Sequence, residues 1–144
     1  MFNSQYDCKL DPKGRLVLPA KIKAAIPEVN GTVLMLRMAE DRCLALYTIV
    51  EYKKLENQIK SLNINNAEQR LLQRSFFNSV TEVELDSAGR LLIPKHFQIY
   101  AGLEKELMVA GNGSRIEIWN TENYLNNIIK DPADLSSLME KHLS

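Results

Sequence analysis

Apolar and polar residues alternate in short runs at the two ends of the chain and recur at helical spacing in between. Phe2 to Leu10 alternates loosely and predicts a strand. Leu16-Val17-Leu18 predicts another, entered by Arg15 and ended by Pro19, with Leu16 and Leu18 on one face and Arg15 and Val17 on the other. A short helix is expected from Ala20 to Ile26, stopped by Pro27. After the turn signal Asn30-Gly31, Thr32 to Met38 and Cys43 to Tyr47 read as a hairpin around Ala39-Glu40-Asp41-Arg42. Then the period changes. Tyr52, Leu55, Ile59 and Leu62 form one helical stripe behind a Thr48 cap. Asn63 to Asn66 breaks it, and Asn66 with Gln69 has capping-box spacing for a second helix to about Ser79, with Leu72 and Phe76 inward.

Strand patterns return at Val80 to Leu85 and Leu91 to Ile93, followed by a helix from Lys95 to Ala101 and then Gly102. Glu106 to Ala110 and Arg115 to Trp119 predict a hairpin around Gly111-Asn112-Gly113. Thr121 is the expected cap of a helix to about Lys130. Asp131-Pro132 begins a last short helix or frayed tail, Asp134 to His142.

One stretch is written twice. Leu10-Asp11-Pro12-Lys13-Gly14-Arg15-Leu16-Val17-Leu18-Pro19 returns 75 residues later as Leu85-Asp86-Ser87-Ala88-Gly89-Arg90-Leu91-Leu92-Ile93-Pro94, identical at six of ten positions. Two copies suggest one body with approximate two-fold symmetry rather than a solenoid. Asp11 and Asp86 suit the first position of a type I turn, where the carboxylate accepts a backbone N–H two residues on. Gly14 and Gly89 supply the positive φ that completes a three-residue hairpin with a bulge. Each copy thus reads strand, turn, strand, helix. Arg15 and Arg90 are either solvated strand ends, partners of the nearby Asp, or contacts to something outside the chain.

A length of 144 residues, 45% apolar and 25% charged, fits a single domain with a real core. The division expected within it is a first repeat over 1–50, a helical hairpin over 51–79, a second repeat over 80–130 and a tail over 131–144. No apolar run approaches a membrane span, the N-terminus lacks signal-peptide character, and the cytoplasm is the expected location. Cys8 and Cys43 have no metal-ligand spacing, and His96 and His142 have no acidic or thiol partner at ligand distance. With no P-loop, no GxGxxG and no nucleophile elbow, neither an enzyme nor a metal, cofactor or small-molecule substrate is expected.

Formal net charge is zero. Its distribution is uneven. From Lys9 to Lys23 there are Lys9, Lys13, Arg15, Lys21 and Lys23 against Asp11 alone, a net of +4, whereas Glu84 to Gln98 sums to zero. A polyanion would therefore meet the first copy.

Asp-x-Lys-Gly-Arg-x-x-x-Pro near the N-terminus, a second Asp-x-x-Gly-Arg-x-x-x-Pro, and a helical hairpin between them resemble MraZ, a family of the AbrB/SpoVT-type swapped-hairpin transcription factors. The resemblance covers roughly residues 1 to 130. It implies an α+β fold: a pseudo-two-fold, AbrB-like swapped-hairpin β-barrel of two repeats, with a helical hairpin between them and a C-terminal helix. It also implies a nucleoid-associated transcriptional regulator that forms a homo-oligomeric ring, binds short direct repeats of double-stranded DNA in the promoter of a division and cell-wall gene cluster, and typically represses it.

Carried onto this chain, the DNA-facing motif falls on Asp11, Lys13, Gly14 and Arg15. Lys23 stands where the family often has arginine, which keeps the charge without the bidentate fork. In the second copy Ala88 replaces Lys13 and Gln98 replaces Lys23, so Arg90 is only a secondary candidate. Lys9, Lys13, Lys21 and Lys23 would hold phosphates, and Arg15 is the candidate for reading guanine O6 and N7. The competing reading is a ring-forming protein-interaction module with DNA binding secondary or absent.

Overall fold

The computed structural model describes residues 1–27 and 31–144. In chain order the first repeat supplies β1 (Gln5–Lys9), β2 (Arg15–Val17), α1 (Ala20–Ala24), β3 (Val33–Met38) and β4 (Leu44–Thr48). Helices α2 (Ile49–Lys60) and α3 (Ala67–Asn78) follow. The second repeat supplies β5 (Val80–Glu84), β6 (Arg90–Leu92), α4 (Lys95–Ala101), β7 (Glu106–Asn112) and β8 (Arg115–Asn120), and α5 (Thr121–Leu125) and α6 (Pro132–Leu143) end the chain. The mixed α+β architecture agrees with the expectation.

Six antiparallel strands form one sheet in the order β1-β7-β8-β4-β3-β5, and β2 and β6 form a separate two-stranded ribbon. The order is palindromic about β8 and β4. The first strand of each repeat pairs with the third strand of the other: β1 with β7 (Tyr6 opposite Val109) and β5 with β3 (Val83 opposite Leu34). The sequence pattern alone suggested that each motif closes on itself as a hairpin. Instead, β2 is joined to its own repeat by the Leu10–Leu16 bridge and β6 to its own by Leu85–Leu91, while their ladders are with each other. Ladder pairing leaves the sheet open, with β1 and β5 as its edges.

The sheet is covered on both faces, which is why all five residues of the central strand β4 are buried. Leu44 and Leu46 point to one side, where Leu34, Leu36, Leu107, Val109, Ile116 and Ile118 meet the ribbon's Leu16 and Leu91 and the helix residues Ile22 and Phe97. Ala45 and Tyr47 point to the other, joining Met108, Trp119, Tyr52 and Phe76. On that side Arg37 lies 5.8 Å from the Tyr47 ring centre and 5.9 Å from that of Phe76. Glu117 is buried there, and its carboxylate accepts from Arg115 Nη2 (2.6 Å), Asn112 Nδ2 (3.1 Å) and Trp119 Nε1 (3.1 Å). A buried carboxylate needs such a set of donors.

Several local expectations are corrected. Thr48 and Asn66 do cap α2 and α3, accepting from Glu51 N and Gln69 N. Gln69 Oε1, however, accepts from Asn63 N rather than Asn66 N, so the box closes one turn further back. Leu72 is half exposed; Gln73, bonded to Ile59 O, joins Phe76 on the side that meets α2. Strand β7 runs on through Gly111 to Asn112, opposite Arg115, so the tight turn is Gly113-Ser114 alone. Asn120, not Thr121, caps α5, because Asn120 Oδ1 reaches Asn123 N (3.0 Å), and α5 stops at Leu125. The tail is a helix from Pro132, with Asp131 as cap. Asn30, half of the expected turn, lies outside the described residues.

The two adjacent leucines of β6 should behave oppositely. Leu91 is fully buried and Leu92 is 57% exposed. Urea unfolding should show Leu91→Ala losing about 2–5 kcal/mol and Leu92→Ala changing stability by less than about 0.5 kcal/mol.

Candidate nucleic-acid interface

The two written copies fold into two matching loops at the ends of the β2–β6 ribbon. In the first, Gly14 N donates to Asp11 O (3.0 Å) and Asp11 N to Arg15 O (2.9 Å), with Gly14 at φ +81°. This is the turn-plus-bulge geometry that the sequence dictates. Asp11 Oδ1 accepts from the backbone N–H of Lys13 (2.9 Å) and of Arg15 (2.8 Å), while Oδ2 accepts from Arg15 Nε (2.7 Å). The second loop repeats these bonds: Asp86 Oδ1 accepts from Ala88 N and Arg90 N, both at 2.9 Å, and Oδ2 from Arg90 Nε at 2.7 Å.

Both carboxyls are held below the ordinary 3.8. The backbone N–H of the arginine does most of it, against a weaker opposing effect of desolvation; the guanidinium and the loop's second N–H add to it. The internal ion pair open to the arginines is thus formed. It uses one edge of each guanidinium. Among the described residues neither Arg15 nor Arg90 makes a further side-chain hydrogen bond, so the two Nη groups of each remain able to donate.

Each loop leans on the other copy. Gly14 O accepts from Ile93 N (2.9 Å) and Gly89 O from Leu18 N (3.3 Å). A Cβ added at Gly14 would collide with Gln98 Nε2, and one at Gly89 would stand 3.0 Å from Lys23 Nζ. Gln98 is itself tied down, donating to Ile93 O (2.7 Å). Position for position, then, the helix residue belonging to one copy lies across the loop of the other. The sequence window that groups Lys23 with Arg15 is corrected: Lys23 lies over the second loop. Near Gly14 are Lys13 and Arg15 against Asp11; near Gly89 are Lys23 and Arg90 against Asp86. The imbalance of +4 against zero narrows on folding, to +3 against +1 once Lys23 is counted with the second loop.

The ribbon between the loops presents four side chains outward. Arg15 stands opposite Leu92 and Val17 opposite Arg90, while Leu16 and Leu91 point inward and are fully buried. Cross-strand partners share a face. Val17 and Leu92 are each 57% exposed, two aliphatic side chains flanked diagonally by two arginines. Alternation along each strand signalled their outward direction; the pairing that brings all four together was not visible in one strand. Lys13 and Lys21 are exposed, on the loop and on α1. Lys9 is exposed on β1 but stands opposite Glu106 of β7, a cross-strand partner of opposite charge.

Other chemistry is not assembled. Among the described residues no three His, Cys, Asp or Glu side chains converge on a possible metal position, and no helix is long and apolar enough to cross a membrane. Cys8 and Cys43 are free thiols, pushed up to about 11 and about 12 chiefly by burial, and stay protonated at neutral pH.

The family model described as “MraZ protein, putative antitoxin-like” matches the chain twice, over residues 1–75 and 76–140. A protein of Cytophaga hutchinsonii named “Transcriptional regulator MraZ” is 43% identical over 143 residues, covering 99% of this chain and 95% of that protein. Proteins of the same name from Heliobacterium modesticaldum (38% identical, 86% of this chain, 84% of that protein) and Clostridium botulinum (39%, 88% and 86%) are also similar.

The loop carboxylates give a pH signature. A carboxyl whose folded value is lowered stabilises the fold fully above its unfolded value and loses that contribution as pH falls through the folded one. Stability should therefore drop below pH about 4. In Asp11→Asn/Asp86→Asn, which keeps the Oδ1 acceptor but not the ion pair, the acid-side drop should be shallower. Denaturant unfolding across acid pH measures both.

Proposed function

This chain belongs to the MraZ family, and from that premise we propose that it is a sequence-specific DNA-binding transcriptional regulator. The names of its relatives support regulation, and the family is one of regulators rather than enzymes. The observation that carries DNA as the target is the first loop. Asp11 fixes both the backbone and one edge of Arg15, so that the guanidinium is presented at the ribbon surface already oriented, with both Nη groups open. That is the arrangement a bidentate contact to guanine O6 and N7 needs. Lys13 beside it, with Lys21 and Lys9 farther out, supplies phosphate contacts that position the loop. The two-stranded ribbon itself is narrow enough for the major groove, where Val17 and Leu92 would meet thymine methyl groups.

Several copies act together in this reading. The chain forms a ring, each subunit meets one short direct repeat in the promoter of a division and cell-wall gene cluster, and occupancy represses transcription. The ring is the reason weak single contacts suffice, since linked sites raise one another's effective concentration. Exposed Leu71 and Leu72 on α3 and Leu135, Leu138 and Met139 on α6 provide apolar surface for contacts between copies. The same surface favours the second reading, a ring-forming interaction module. The Leu10–Leu16 and Leu85–Leu91 bridges carry the ribbon onto both sheet edges, which supports a swapped-hairpin barrel within each subunit. The protein then acts in the cytoplasm, associated with the nucleoid.

Binding to repeat-containing and scrambled duplexes across a salt series tests this. Wild type should prefer the repeats with a steep salt dependence. Arg15→Ala should cost about 1–3 kcal/mol per contact and erase the preference, whereas Arg90→Ala should keep it. Equal weak binding of all three proteins to both duplexes would move the assignment to the interaction module.

A further inference from the structure

The second loop lacks a lysine of its own: Ala88 stands where Lys13 stands in the first. Read along the chain, that leaves Arg90 alone beside Asp86. The fold fills the gap from elsewhere. Lys23, on α1 of the first repeat, extends over Gly89 with Cδ, Cε and Nζ all within 3.5 Å of where a Cβ would stand. Among the described residues its ammonium has no carboxylate within ion-pair distance. The first loop has the reverse arrangement: its own Lys13, and across Gly14 the neutral Gln98, whose amide is spent on Ile93 O. Each loop therefore ends with one guanidinium and one ammonium, reached by different routes.

We propose that the second loop is a phosphate-gripping site, completed in trans by Lys23 of the first repeat, so that each subunit holds the duplex with two loops of different task. The inference rests on the DNA-binding reading above. The first loop, with Lys13 exposed at its tip, reads bases through Arg15. The second, with Ser87 and Ala88 at its tip, has no long side chain to insert and grips the backbone through Arg90 and Lys23. An ammonium is suited to this as a compact charge needing no fixed geometry, and Gly89 is what lets its stem lie flat against the loop. A contact of this kind adds affinity and salt dependence without sequence preference.

Lys23→Gln tests the charge while keeping most of the stem, mirroring Gln98. It should weaken binding to repeat and scrambled duplexes alike, roughly three- to tenfold, and flatten the log–log salt slope by about 0.9 for each subunit engaged. The loss should shrink markedly in an Arg90→Ala background and persist in Arg15→Ala, where only the preference for repeats is gone. Gln98→Lys should steepen the slope by a similar amount. A neutral Lys23→Gln, or one whose cost vanishes with Arg15 rather than Arg90, would overturn the inference while leaving the role of Arg15 standing. Absence of any repeat preference in wild type would instead overturn the reading beneath it. Unchanged thermal unfolding of Lys23→Gln, an exposed site, confirms that the fold is intact.

Discussion

The exchange of two hydrogen bonds between the loops, Ile93 N to Gly14 O and Leu18 N to Gly89 O, is the constraint on which the rest of the structure depends. Strands β2 and β6 are three residues long and are each joined to their own repeat by one bridge. Such short strands are not independently stable. They are held because Leu16 and Leu91 are driven into the core beneath them and because each loop closes on the other strand. The same exchange recurs in the large sheet, where β1 pairs with β7 and β5 with β3, giving the palindromic order. Neither repeat can complete itself alone.

This constraint also explains which parts of the fold were legible in the sequence. The elements were, since the loops, the caps at Thr48 and Asn66 and the prolines after β2 and β6 act within a few residues. Pairing was not: the hydrophobic pattern of β2 is the same whether Leu16 faces its own hairpin or the other repeat's. Leu72 was misplaced for a related reason. At Leu72 and Gln73 the helix had room for either on its inner side, and Gln73 was chosen by a hydrogen bond to Ile59 O that no periodicity reveals. Thr121 lost its cap to Asn120 because the strand β8 extends one residue further than its apolar run.

The candidate site was legible in its members and misleading in its grouping. Asp11, Gly14 and Arg15 are local, and their geometry is the one their residue types demand. Charge summed along the chain assumed that neighbours in sequence are neighbours in space. The ribbon exchange breaks that assumption at Lys23 and Gln98, which trade places between loops. Val17 and Leu92 show the same effect. Each is an ordinary exposed aliphatic residue alone, and only cross-strand pairing sets both between Arg15 and Arg90.

A protein with no net charge that binds a polyanion must keep its attractive field local. In the ribbon's loops the acidic residues, Asp11 and Asp86, are already committed to backbone N–H groups and to the arginines. Their negative charge is spent on orientation. A carboxylate that neutralised its arginine completely would defeat binding, but these occupy only the Nε edge, leaving the Nη groups outward. The Nε bond to each carboxylate therefore removes rotational freedom from the guanidinium before any ligand arrives, and so lowers the ordering cost of a contact. Duplicating the loop within one chain repeats this pre-ordering at both ends of the ribbon, since Asp86 holds Arg90 as Asp11 holds Arg15.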